Sequence, residues 1–158
     1  MARISLGRIW PDSDPAYRRS EISSLVGTAD VTWYRASRDI LLWTVKTASG
    51  FTVDAEGPVV VGERITVTVR VAGIAITEPV QVVDVVTEPD RVGFSYRTLP
   101  GHPVSGEEAF IVQRTGDEVH LIIRSLTRRA PQQPWRMLFP VLLVAQRVVR
   151  RRYVRSMR

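Results

Sequence analysis

His102 stands between Gly101 and Pro103 in the segment Leu99-Pro100-Gly101-His102-Pro103, and Glu107 and Glu108 follow within six residues. Histidine is the side chain most readily poised near neutral pH. A carboxylate brought beside it makes a candidate acid–base pair. Glu107 and Glu108 open a strand in this reading, so their side chains point to opposite faces. One enters the interior and the other faces outward. His102, Glu107 and Glu108 are therefore the catalytic candidates. Tyr96, Thr98, His102, Glu107, Phe110 and Trp43 are the candidates for lining a ligand pocket. Two plainer readings stand beside these. The loop also makes sense as a rigid turn whose histidine and glutamate tie it down by hydrogen bonds. The aromatic residues Trp33, Trp43, Phe51, Phe94, Tyr96 and Phe110 also make sense as ordinary core.

A second chemical feature is charge. Residues 147–158 hold Arg147, Arg150, Arg151, Arg152, Arg155 and Arg158 and no acid. The chain carries +6 overall, so without this segment its bases and acids balance. A basic patch confined to one end suits an anionic membrane surface or an acidic protein. Arg147, Arg150, Arg151, Arg155 and Arg158 are the candidates for such contact. A solvated helix end complementing the helix dipole is the bland alternative. Nucleic acid is a poorer fit, because Tyr153 alone stands among the arginines, where stacking platforms would require several interleaved aromatics.

Composition excludes several chemistries. The 158 residues contain no cysteine and two histidines. Disulfides, thiol nucleophiles and cysteine-ligated metals are ruled out, and neither a metal nor a cofactor is expected. No phosphate-cradling loop, dinucleotide fingerprint or nucleophile elbow is present. The start of the chain lacks an apolar signal region, and the apolar run at Phe139–Ala145 is far short of a membrane span. The expectation is a cytoplasmic protein, with peripheral membrane contact open.

The elements that must position these residues follow from periodicity. Residues 1–19 read as an arm containing Pro11 and Pro15, with a short strand at Arg3–Leu6, and residues 20–158 as one domain. Ser20–Gly27 reads as a strand. A helix is predicted over about 30–46 from the spacing of Ala36, Ile40 and Trp43, with Asp30 as its cap and Gly50 as its stop. Six strands follow at about 51–55, 63–72, 75–87, 91–98, 107–114 and 118–126, with turns at Gly73, Glu88–Arg91 and Thr115–Glu118. Ile65, Val67, Val69 and Val71 alternate with polar residues, as a half-buried antiparallel strand does. Ala130–Trp135 breaks the sheet. A basic amphipathic helix over about 137–156 closes the chain, with Leu138, Leu142, Ala145, Val149 and Tyr153 on one face. This order predicts an α+β fold: a curved antiparallel sheet of six to seven strands gripping a long C-terminal helix. It resembles the helix-grip fold of START-like lipid and small-ligand carriers, which implies an apolar cavity between sheet and helix.

The stretch Gly93–Val112 resembles the signature of the domain-of-unknown-function family numbered nineteen-ninety, an uncharacterised family of actinobacteria and plants. Tyr96, Thr98, Leu99, Pro100, Gly101, His102, Pro103, Gly106, Glu107, Glu108 and Phe110 match its pattern. Arg97 departs, standing where that family usually has glycine. Trp43, Val61–Val67, Ser125–Arg128 and the arginine-rich terminal helix with Tyr153 agree with it, so the resemblance covers about residues 20–158. It implies a domain extent and no activity.

The favoured function is a non-enzymatic binding module for a small apolar or amphipathic molecule, docking through its arginines on an anionic surface. One alternative is an enzyme on a small hydrophobic substrate using His102 with Glu107 or Glu108. The other is an adaptor with a solid core that binds protein or membrane through its terminal helix.

Overall fold

The computed structural model describes residues 3–11, 14–131 and 134–158. Its elements run β1 (Arg18–Thr28), α1 (Ala29–Leu41), α2 (Thr44–Thr47), β2 (Thr52–Val53), β3 (Arg64–Val71), β4 (Ile74–Glu88), β5 (Arg91–Thr98), β6 (Val104–Thr115), β7 (Glu118–Arg129) and α3 (Trp135–Ser156). The strands form one antiparallel, curved sheet of seven in the order β1-β7-β6-β5-β4-β3-β2. Each of the turns expected between β3 and β7 joins neighbouring strands. At the first of them Ala72 and Gly73 both take positive φ, which matches the twist of the strands they connect.

One face of the sheet carries the main core. Trp33, Ala36 and Ile40 of α1 pack with Val80, Val82, Phe94, Tyr96, Phe110, Val112, Leu121 and Ile123, and Tyr153 of α3 joins them. The opposite face is covered too. Ile4, Leu6 and Trp10 of the arm bury against Ala109, Ile111 and Leu126. This second cover explains why β5 is buried at six consecutive positions, Arg91–Tyr96, instead of alternating. The arm's carbonyls are met by two buried arginines. Arg91 donates to Leu6 and Gly7, and Arg124 to Ser5 and Gly7. Backbone groups over a sheet face would otherwise be left without partners.

Several expectations need correction. Arg3–Leu6 is not a strand, although Ile4 and Leu6 are buried. The helix predicted over 30–46 is two helices, because Trp43 between them takes the left-handed conformation at φ 63°. Asp30 is not the cap of α1 but lies in its first turn, paired with Arg114 at 2.5 Å. β6 begins at Val104 and not at 107, and β7 runs on to Arg129. Gln132 and Gln133 of the proline-rich break, and residues 1–2, 12 and 13 of the arm, lie outside the described residues.

α3 meets the body chiefly at its C-terminal end, where Tyr153 and Met157 are buried. Leu138, expected on the core face, is 41 % exposed. The helix therefore stands off the sheet over its earlier turns, and a cavity opens between them.

Candidate functional site

The cavity has a volume of about 570 Å³. β3, β4, the loop before β6 and α3 surround it. Its walls are apolar, with Phe51, Val69, Ile76, Val104, Leu142 and Val149 among them. Lys46, Glu78, His102, Glu108, Gln146 and Tyr153 supply polar groups, and the exposed Arg70 and Arg152 lie at its mouth.

Lys46 dominates the polar side. It is 1 % exposed. Its ammonium donates to the Tyr153 hydroxyl at 2.5 Å and lies 3.7 Å from Glu108. The rings of Tyr153, Phe51, Tyr96 and Phe110 surround it at 4.7, 5.0, 5.2 and 5.4 Å, within cation–π range. Glu108 in turn accepts from the Tyr96 hydroxyl at 2.5 Å. Burial, reinforced by Glu108, holds the hydroxyls of Tyr96 and Tyr153 well above the usual phenol range, so both stay protonated.

His102 faces Glu78 across the cavity, with Nε2 3.9 Å from a carboxylate oxygen. Its Nδ1 accepts from the Val104 N–H at 3.1 Å. Burial, with Lys46 adding to it, pushes the imidazole down to about 3. Burial also raises the Glu78 carboxyl, and Lys46 partly opposes this.

The histidine makes stability depend on pH. Its folded-state value lies below the unfolded value of 6.5, so the unfolded chain binds the extra proton between the two. Stability contributed by the neutral ring is complete above 6.5 and is lost as pH falls towards 3. Glu78 works the other way above 4.5, where the folded state holds the extra proton. The histidine's effect is therefore read between about pH 6.5 and 5 as the difference between the wild type and a His102 variant, both of which carry Glu78; one proton gives a slope of up to about 1.4 kcal/mol per pH unit. Melting curves across that window should show a shallower slope for His102→Asn, whose amide oxygen can still accept from Val104. Parallel slopes for the two proteins would refute it.

The expected site residues divide. His102 and Glu108 line the cavity. Glu107 does not: its parity on β6 turns it to the opposite face, where it accepts from the Ile4 N–H at 2.7 Å and helps to hold the arm. Its hydrogen bond is made there and not with His102. Thr98 accepts from the Gly106 N–H at 3.0 Å and fixes the start of β6. Tyr96 stands behind Glu108. Phe110 and Trp43 are core beneath the cavity, Phe110 edge-on to Tyr153 at 5.1 Å and Trp43 edge-on to Phe94 at 4.9 Å. Tyr96, Thr98, His102, Glu107 and Glu108 do converge, but on a void of about 20 Å³. That is room for about one water. The arginines are also unequal. Arg150 is tied to Ser20 and Ser125, and Arg158 donates to Ser24 at 3.1 Å. Arg147, Arg151 and Arg155 line a more open groove beside Ile22 and Val154.

Two residues of the site escape the sequence reading. Lys46 is the sole lysine of a chain with twenty-two basic residues, a signal that could have singled it out. Glu78 shares strand parity with the apolar Ile76, Val80 and Val82, so it is an acid on a buried face.

A family model described as "Domain of unknown function (DUF1990)" matches residues 6–156. The chain belongs to that family. A UPF0548 protein of Deinococcus radiodurans is 42 % identical over 79 residues, which cover 49 % of this chain and 39 % of that protein. The match thus spans well under half of that relative's length. Among solved structures, hypothetical protein jhp0584 from Helicobacter pylori has a TM-score of 0.64 at 8 % identity, covering 89 % of this chain and 85 % of that one. Ara h 8.0201 scores 0.52 at 10 % identity, covering 89 % and 97 %. Protein CV1439 from Chromobacterium violaceum scores 0.52 at 11 % identity, covering 88 % and 93 %. Such identities speak for the fold alone. The fold of this family member is the helix-grip fold. Among its described residues no helix is long and apolar enough to cross a membrane.

Proposed function

We propose that the protein is a binding module that holds a small amphipathic molecule between α3 and the sheet. The observation that carries this is the cavity itself. Its volume of about 570 Å³ falls within the range of small-molecule sites, and apolar walls with a few convergent polar groups are their usual lining. The apolar part of the ligand lies against Val69, Ile76, Leu142 and Val149. Its polar end turns towards Lys46, Glu78 and His102.

Binding is favoured over turnover for two reasons. Glu107 does not line the cavity and is taken by the Ile4 N–H, and Glu108 is taken by Tyr96 and Lys46. The imidazole is held neutral far below the pH at which a general base works best. A solid-core adaptor would leave no such cavity.

Ala145 lines the cavity near its mouth and is exposed, so a tryptophan there can enter the space without overpacking the core. Titration with the neutral fluorophore N-phenyl-1-naphthylamine should give one site per chain in the wild type and none in Ala145→Trp. Equal binding by both proteins, or by neither, would count against the proposal.

A further inference from the structure

His102 and Glu78 face each other without meeting. Their 3.9 Å separation is beyond a hydrogen bond. Because Nδ1 is occupied as an acceptor by the Val104 N–H, the neutral ring carries its proton on Nε2. The cavity is thus presented with an N–H donor from β6's leading loop and carboxylate acceptors from β4. Among the described residues neither group has a hydrogen-bond partner for these atoms. Nearby, Lys46 and Glu108 lie 3.7 Å apart and balance one another, so the floor holds no uncompensated cation that would call for an anionic head group.

A hydroxyl group satisfies both sides at once. Its oxygen accepts from Nε2–H and its proton is donated to the carboxylate. A carbonyl, ether or carboxylate only accepts and leaves Glu78 facing lone pairs. An ammonium only donates and leaves the Nε2–H facing a donor. We infer that the cavity selects a ligand bearing an alcoholic or phenolic hydroxyl, seated between His102 and Glu78, with its hydrocarbon frame against Val69, Ile76, Leu142 and Val149.

This rests on the proposed binding function, and the test separates the two. Calorimetric titrations at pH 8 with 2-naphthol, 2-methoxynaphthalene and 2-naphthoate compare one frame with three heads. A site built to hydrogen-bond a hydroxyl should bind 2-naphthol at least about tenfold more tightly than either analogue. Glu78→Leu should cut that preference to less than about threefold, since only the polar contact is removed. Equal binding of 2-naphthol and its methyl ether by the wild type overturns the inference, whatever the variant does. So does tighter binding of the naphthoate, or a preference unchanged in a folded Glu78→Leu. Failure of all three probes to bind the wild type overturns the binding function itself and this inference with it.

Discussion

Gly106→Ala is expected to abolish folding or to cost more than about 4 kcal/mol, a loss reserved for severe steric or strain effects. Gly106 takes φ +147°, and a Cβ there would lie 1.7 Å from the carbonyl oxygen of Leu126 and 2.8 Å from its carbon. Both are backbone atoms of β7, which pairs with β6 at this point, so neither side can yield without breaking the ladder. The Gly106 N–H is also the group that Thr98 holds. Gly73→Ala is the control. It too has positive φ, at +80°, but nothing lies within 4 Å of its Cβ position. It should cost only the backbone penalty of about 1–2 kcal/mol. Urea denaturation of the two variants separates the effects; a mild loss in Gly106→Ala, equal to that in Gly73→Ala, would contradict the close approach.

Lys46→Met should be nearly as damaging. It removes the cation that pairs with Glu108 and hydrogen-bonds Tyr153, and it leaves a carboxylate in a largely buried site with the Tyr96 hydroxyl as its remaining partner. Breaking one side of a buried pair costs about 3–5 kcal/mol. The cycle with Glu108→Gln is diagnostic. The double variant should be less destabilised than the two single losses added together, because the uncompensated charge is then gone. Strict additivity in chemical denaturation would mean that the pair is not coupled.

Much of this architecture was legible from periodicity. The alternation in β3, the turns at Gly73 and Thr115–Glu118, and the final amphipathic helix each follow from spacing that depends on local geometry alone. The opposition of Glu107 and Glu108 was equally legible, since consecutive strand residues must diverge. Which of them points inward was not, because that is fixed by pairing with β5 and β7 and by an arm that covers the far face. The same arm explains the doubly apolar pattern of β7. Trp43 hid the break between α1 and α2: a tryptophan with positive φ has no sequence signature, and here the core overrides its preference. Glu78 and Lys46 lay outside the conspicuous motif. Each shows itself only when a charged residue is weighed against the apolar positions that share its face.

Native mass spectrometry of the protein purified from its own host, paired with denaturing small-molecule analysis, bears most directly on the binding function. The expected spectrum shows the chain with one small molecule bound, and the bare chain for Ala145→Trp prepared in the same way. Bare wild-type chain, together with a melting temperature that no hydroxylated or plain hydrophobic compound raises, would contradict it.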